Sequence, residues 1–164
     1  MALLCILISA MGKSAQVPFH IWLPDAMVAP TPVSAYLHAT AMVKLGVYML
    51  IRVLVEAGFT PIVSTVCIVV GLISMLYGCF MYFPQRDLKK LLAYSTTSQF
   101  AYILTGIGIA SQGSTLVLRG VVLHLFNHGF AKELFFLSVG MILSSMGTRY
   151  IDRIRGLREV KIVS

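Results

Sequence analysis

The sequence predicts an all-α membrane protein with about five transmembrane helices, the first of them broken. Hydrophobic residues make up 58% of the 164 residues and charged residues only 12%, whereas soluble proteins carry about a quarter charged residues. The apolar residues gather into segments that are each close to the ~20 residues a helix needs to cross the hydrocarbon core. Composition and segment length together place the chain in a lipid bilayer.

The predicted helices cover residues 2–23, 34–55, 61–83, 88–110 and 116–145, and a basic tail follows over residues 146–164. Pro18 and Pro24 lie at the end of the first segment, where each removes a helical hydrogen bond. Freed backbone groups are tolerated at membrane depth only where protein or water surrounds them. We therefore expect a helix break near these prolines, beside Lys13, in a region that water can reach.

Basic loops predict the orientation, because such loops stay on the cytoplasmic side. The loop "PQRDLKK" and the tail "TRYIDRIRGLREVKIVS" are both positive, and two helices separate them. Both can therefore be cytoplasmic. With five crossings, the N-terminus is then predicted outside and the C-terminus inside, in a bacterial or archaeal cell membrane rather than the mitochondrial inner membrane.

The composition also argues against several other classes of function. The net charge of +7 is spread between and inside apolar segments, so nucleic-acid binding is not expected. Cys5, Cys67 and Cys79 have neither metal-site nor iron–sulfur spacing, and no glycine-rich dinucleotide loop is present. We expect no cofactor and no metal in this chain.

Several ionisable residues lie inside the apolar segments, where an ionised group costs about 2.5–3.5 kcal/mol or more. His124, His128 and Lys132 are spaced i, i+4, i+8 and so share one helix face. Histidine titrates near neutral pH, and burial favours the neutral form of a lysine. The stripe therefore suggests a row of groups that load and release protons.

Two other interpretations of this segment compete with a proton path. A zinc site would need a third protein ligand and has no HExxH motif. Paired haem-ligating histidines would more naturally face each other across two helices. Glu133 follows Lys132 but points about 100° away around the helix, so we expect it to face another helix or subunit.

Four stretches in the same order resemble a known family. "GKSAQVPFHIWLPDAM", "APTPVSAYLHATAMVKLGVYMLIR", "DLKKLLAYSTTSQ" and "HLFNHGFAKELFF" are similar to the antiporter-like membrane subunits of respiratory complex I, chain 5 or L type, and to the large A-type subunit of Mrp Na⁺/H⁺ antiporters. The resemblance covers nearly the whole chain and implies the central part of an antiporter-like helical bundle.

The resemblance implies a proton or ion path, whose residues would be Lys13, His38, Lys44, His124, His128 and Lys132. Lys44 favours the Mrp type over complex I. Glu133 stands where the family usually has a small or apolar residue. Family members are much longer, so we expect a fragment, a split-gene product or a reduced relative that does not conduct alone.

The leading hypothesis is a subunit that moves protons, or exchanges sodium for protons, in a multisubunit complex related to complex I, Mrp antiporters and membrane-bound hydrogenases. Its expected partners are other membrane subunits and the lipid bilayer, with redox subunits in a redox-driven complex. A structural membrane scaffold without transport is the alternative. A redox enzyme in its own right is disfavoured because the chain has no redox centre in its sequence.

Overall fold

The structure, a computed structural model, describes residues 1–40, 42–58 and 60–154, and over these ranges the chain forms a bundle of helices. The α-helices are α1 (Ala2–Lys13), α2 (Trp22–Asp25), α3 (Thr31–Ala35), α4 (Met42–Ala57), α5 (Pro61–Tyr82), α6 (Leu88–Ala110) and α7 (Thr115–Met146). A π-helical turn, Tyr36–Thr40, precedes α4, and 3₁₀ turns cover Ala26–Val28 and Ile151–Arg153. The predicted all-α membrane fold is confirmed.

Three segments are long and apolar enough to cross a membrane: Thr31–Ala57, Pro61–Tyr82 and Thr115–Met146. The other two predicted crossings differ from these in character. Helix α1 has only 12 residues, which by itself is shorter than the ~20 residues a crossing needs. Helix α6 has 23 residues but carries the polar "YSTTSQ" run. Its position in the bundle explains that polarity.

Helix α6 lies at the centre of the bundle, packed between α5 and α7 and also touched by the short α2. It contributes twelve of the buried residues, including Thr96, Thr97 and Phe100. Thr96 and Thr97 are buried, and the serine and threonine hydroxyls bond to backbone oxygens of their own helix, as Thr96 Oγ1 does to the Leu92 carbonyl at 2.8 Å. A central helix can therefore be more polar than its lipid-facing neighbours.

The first predicted segment is broken where the sequence suggests. The prolines predict a break near Pro18, and α1 ends at Lys13 while residues 14–21, which include Pro18, are non-helical. The Ser14 hydroxyl donates to the Ala10 carbonyl at 2.6 Å, and Ala15 has a left-handed φ of 51°, a conformation that disfavours residues with a Cβ. The left-handed Ala15 takes the chain out of the helical conformation directly after α1.

The two prolines also differ in their roles. Pro18 lies within the non-helical connection, whereas Pro24 is the third residue of α2, where a missing N–H costs little because the first turn has no intrahelical partner. Tertiary bonds hold the connection in place: the Val17 N–H donates to Ser74 Oγ at 3.0 Å and Trp22 Nε1 donates to the Gly12 carbonyl at 3.1 Å.

The second predicted helix is also interrupted. The sequence predicts one segment over residues 34–55, but the helical segment begins at Thr31, where Pro32 suits a helical first turn. A π turn follows at Tyr36–Thr40 and α4 continues to Ala57. π turns inside α-helices are frequent at functional sites, and this one carries His38.

The last three helices begin where local sequence signals place them. Pro61 stands at the first position of α5. The Asp87 carboxylate accepts from the Lys89 N–H at the start of α6, and the Ser114 hydroxyl accepts from the Val117 N–H at the start of α7. Such caps satisfy backbone donors that have no partner within the helix. The predicted bounds of 61–83, 88–110 and 116–145 are therefore within one residue of those observed.

The loop before α6 is tied to the segment after α7. The Asp87 carboxylate accepts from Arg149 Nε at 2.9 Å, and Leu88 N–H and Ile151 N–H bond to the Arg149 and Arg86 carbonyls. Lys89, predicted as a charge of the basic loop, is instead buried, and its ammonium donates to the Ala29 carbonyl at 2.9 Å. The rest of the predicted tail, residues 155–164, lies outside the described residues.

Helices α5 and α6 approach closely because small residues line their contact. A Cβ built on Gly71 would lie 2.9 Å from the Thr105 nitrogen and 3.0 Å from the Ala101 oxygen, and one on Gly108 would lie 2.8 Å from the Ser64 oxygen. Backbone atoms cannot move aside as flexible side chains can. Small residues at helix contacts allow this kind of packing in membranes.

We predict that Gly71→Ala destabilises the protein by about 1–3 kcal/mol, the usual cost of overpacking a filled interior. The control is Gly120→Ala, because a Cβ at Gly120 meets nothing within 4 Å and both changes gain the same helix propensity. The measurement is the thermal melting of the detergent-solubilised complex. Equal melting temperatures for the two variants would show that α5 and α6 do not pack this closely.

Candidate functional site

The candidate site is built around Lys132 on α7, which is only 5% exposed. Its ammonium donates to the Leu92 carbonyl at 3.0 Å and to the Ser95 hydroxyl on α6. Among the described residues, the ion pairs involve other side chains, and no carboxylate contacts Lys132. A lysine buried inside the bundle is therefore held by neutral acceptors.

Helix α6 offers these acceptors through two neighbouring groups at the start of its polar run. Ser95 Oγ donates to the Leu92 carbonyl at 3.0 Å while it accepts from Lys132. A hydroxyl both donates and accepts, so Ser95 fits between an ammonium and a carbonyl without leaving a group unpaired.

The two histidines of the stripe lie on the same face of α7 as Lys132. The rings of His124 and His128 are stacked with centroids 6.3 Å apart, and His124 Nε2 is 2.9 Å from Gln99 Oε1. His128 is buried against the edge of Phe100. Neither of its ring nitrogens has a hydrogen-bond partner among the described protein groups.

His38 lies near the Lys132 end of the stripe. The π turn places its ring 5.0 Å from the ring of Phe136, one helical turn after Lys132. His38 is 1% exposed, and both of its ring nitrogens lack a partner within the described chain. Because Phe136 follows Lys132 by one turn of α7, this contact brings a third histidine close to the same lysine.

The structure separates the two remaining predicted residues. Lys44 on α4 is half-buried, and α4 packs mainly against α1 and the π turn. Lys13, the last residue of α1, is exposed, and its stem packs against Gly46 of α4 rather than against the Lys132 group. Four of the six predicted residues thus lie together along α7, namely His38, His124, His128 and Lys132.

A cleft of about 760 Å³ opens beside this group, between the end of α5 and the facing sides of α6 and α7. Its polar lining is supplied by Ser95, Ser98, Gln99, His124, Asn127, His128 and Lys132. No three His, Cys, Asp or Glu side chains gather at metal-binding distance in the described part of the chain. The polar groups that line the cleft are protonatable or hydrogen-bonding.

The residues of α6 that hold the stripe were not predicted from the sequence. Ser95 and Gln99 lie in the polar run "YSTTSQ" and are spaced i, i+4, so both face α7. This spacing, which matches the spacing of His124, His128 and Lys132 on α7, was the signal from which Ser95 and Gln99 could have been predicted. The Leu92 carbonyl had none, because an apolar residue reveals nothing about where its backbone oxygen points.

Comparison with known proteins identifies the relationship. The family described as "NADH:quinone oxidoreductase/Mrp antiporter, TM" matches residues 1–163. The chain belongs to this family. The resemblance inferred from the four sequence motifs is therefore confirmed.

Relatives within the family point to the Mrp branch. The chain is 44% identical over 169 residues to a putative antiporter subunit mnhA2 of Staphylococcus epidermidis and 41% identical over 167 residues to the A-type subunit of the Na⁺/H⁺ antiporter of Bacillus subtilis. Each match covers 96–97% of this chain and 21% of the relative. The chain thus spans about a fifth of the length of these relatives.

A solved structure shows the same arrangement. The Mrp complex from Dietzia sp. DQ12-45-1b contains a chain that superposes with a TM-score of 0.84 at 41% identity, over 90% of this chain and 16% of that one. The membrane fold described above is therefore that of a part of an NADH:quinone oxidoreductase/Mrp antiporter protein.

Proposed function

We propose that this chain forms a proton-translocating part of a multisubunit cation/proton antiporter of the Mrp type. The observation that carries the proposal is Lys132, buried in the bundle and held by a carbonyl and a hydroxyl instead of a carboxylate. Family membership and the Mrp-type relatives support the same interpretation.

The surroundings of Lys132 balance its two protonation states. Burial disfavours the ammonium, and a carboxylate partner would restore it at the expense of the neutral amine. Neutral acceptors stabilise the charge less strongly. The charged and neutral forms of Lys132 are therefore close enough in free energy to exchange a proton during turnover.

Ser95 can rearrange its hydrogen bonds when Lys132 gains or loses a proton. When Lys132 is charged, Ser95 accepts from the ammonium and donates to the Leu92 carbonyl. When Lys132 is neutral, the same hydroxyl can rotate and donate to the amine nitrogen, because a hydroxyl has both functions. Ser95 therefore has a partner in both states.

The histidines extend the path in two directions. His124 and His128 lead from Lys132 toward the start of α7, and His38 lies in the other direction along the helix, beside Phe136. Buried imidazole nitrogens require hydrogen-bond partners, and water in the polar cleft would provide them for His128, which lines it. Protons would then pass between Lys132 and the imidazoles through water.

Lys13 would be a separate proton-exchanging residue at the helix break, next to the non-helical backbone of residues 14–21. Lys13 is exposed, and α5 and α7 have exposed apolar faces. Other helices or subunits must therefore cover these surfaces in the membrane. We propose neighbouring membrane subunits of the same complex as that cover. Redox subunits would be present only if the complex is driven by electron transfer.

We predict that Lys132→Arg and Lys132→Ala both lower ion exchange about tenfold or more, which is an increase of about 1.4 kcal/mol in the transport barrier. Arginine keeps the charge but does not release its proton in proteins. His128→Ala should be milder, because water can replace an imidazole in a chain of hydrogen bonds. The measurement is antiport in everted membrane vesicles that contain the complete complex.

The control is Lys90→Arg, the same substitution on α6 at a half-buried lysine outside the site, which should leave transport unchanged. Immunoblots of the purified complex establish that each variant is incorporated. Near-normal exchange by Lys132→Arg would make this lysine a structural cation, and normal exchange by Lys132→Ala as well would favour a scaffold without transport in this part of the complex.

The orientation proposed from the basic loops has its own test. Gln112→Cys lies in the short α6–α7 loop and Gln85→Cys in the loop before α6. Membrane-impermeant maleimide added to intact cells should label Gln112→Cys but not Gln85→Cys, and everted vesicles should show the reverse. The opposite pattern would invert the proposed topology.

A further inference from the structure

We propose that Gln99 on α6 fixes the tautomer of His124 on α7, so that His124 keeps a proton on Nε2 and exchanges protons at Nδ1. Gln99 is a positioning residue in this proposal, because it acts through the imidazole. The role of His124 in transport rests on the function proposed above, whereas its tautomer does not.

The contact between the two side chains is the starting point. Gln99 Oε1 lies 2.9 Å from His124 Nε2, which is a normal hydrogen-bond length. A carboxamide oxygen only accepts hydrogen bonds, so the hydrogen of this bond belongs to the imidazole. In a neutral imidazole one ring nitrogen carries the hydrogen and the other accepts. Neutral His124 therefore has its hydrogen on Nε2 and a free lone pair on Nδ1.

The two charge states of the imidazole favour this orientation of the Gln99 amide over its reverse. A neutral imidazole can accept from an amide NH₂ group, but an imidazolium has a hydrogen on both nitrogens and cannot accept. Only the amide oxygen can therefore face Nε2 in both charge states. With the oxygen in place, a proton can arrive at Nδ1 and leave again while the hydrogen bond between α6 and α7 stays intact.

The other groups near His124 do not supply a counter-charge. The titratable ones are Cys79 on α5, Tyr102 on α6, and His128 and Lys132 on α7. The rings of Tyr102 and His128 have centroids 5.0 Å and 6.3 Å from that of His124, and Cys79 lines a cleft of about 310 Å³ with both Gln99 and His124. A thiol, a phenol, an imidazole and an amine are neutral or positive near pH 7. The neutral amide is therefore the group that directs the protonation of His124.

The Gln99 amide differs in this respect from the Ser95 hydroxyl, one turn earlier on α6. The hydroxyl can donate or accept after a small rotation, so it follows the charge of Lys132. The amide must turn by about half a revolution to exchange its donor and acceptor ends. His124 consequently takes up and releases protons at the same nitrogen. It stores a proton instead of passing one from Nδ1 to Nε2 across the ring.

Solid-state NMR of the complete complex with ¹⁵N-labelled histidine measures the tautomer. The His124 signals are identified by their absence from a His124→Asn sample. At a pH at which His124 is neutral, we expect a protonated Nε2 and an unprotonated Nδ1, and acidification should add a proton at Nδ1. A neutral His124 with its hydrogen on Nδ1, or with both tautomers populated, overturns the proposal.

Replacing Gln99 tests whether this residue sets the tautomer. Gln99→Leu removes the acceptor and should leave both tautomers of His124 populated. The matched control is Gln112→Leu, the same substitution at an exposed glutamine of the α6–α7 loop, which should keep the wild-type spectrum. An unchanged tautomer in Gln99→Leu contradicts the role of Gln99. If Gln99→Leu does not assemble, the wild-type spectrum and the Gln99→Glu variant decide.

Gln99→Glu tests the same contact through charge. The variant keeps an acceptor beside Nε2 and adds a negative charge, which favours the imidazolium. His124 should then lose its Nδ1 proton about one pH unit higher than in the wild type. The acid limb of antiport should move in the same direction, because an imidazole must release its proton before it accepts another. Gln112→Glu makes the same change in net charge and should shift neither.

The spectra and the transport measurements separate the possible outcomes. An unshifted His124 titration in Gln99→Glu would refute the contact between the two side chains. A shifted titration with an unshifted acid limb would show that His124 does not exchange protons during turnover. A wild-type complex without antiport would refute the proposed function, and the tautomer would still decide the role of Gln99.

Discussion

The hydrogen bond from the Lys132 ammonium to the Leu92 carbonyl joins the two helices on which the site depends. It fixes α7 against α6 at one height and thereby sets which groups of the two helices meet. Gln99 meets His124, Phe100 meets His128, and Ser95 meets Lys132. Helix α6 is in turn packed closely against α5 through small residues, so backbone contacts set its position on that side.

The need for hydrogen-bond partners also explains why the most polar helix, α6, lies in the centre of the bundle. Inside a membrane, polar groups need protein or water partners, and α6 obtains them by being covered on two sides. Its hydroxyls first satisfy their own helix and then, at Ser95, remain able to accept from another. The site thus uses a helix whose polar groups would be unfavourable in contact with lipid.

Much of this arrangement could be predicted from the sequence, but only where the signals are local. Pro61, Asp87 and Ser114 mark the helix starts closely because caps act within one turn. The face shared by His124, His128 and Lys132 follows from helical spacing alone. The prolines correctly indicated the break after α1, but the left-handed conformation of Ala15 could not be predicted from its residue type. Lys89 was misassigned for a related reason: its partner, the Ala29 carbonyl, is sixty residues away in sequence.

Proton exchange at Lys132 can be measured directly by solid-state NMR of the complete complex with ¹⁵N-labelled lysine side chains. The Lys132 signal is identified by its absence from a Lys132→Arg sample. We predict that this signal changes from ammonium to neutral amine within the pH range in which antiport operates. An ammonium signal that persists to the alkaline limit of that range would contradict the proposed proton exchange.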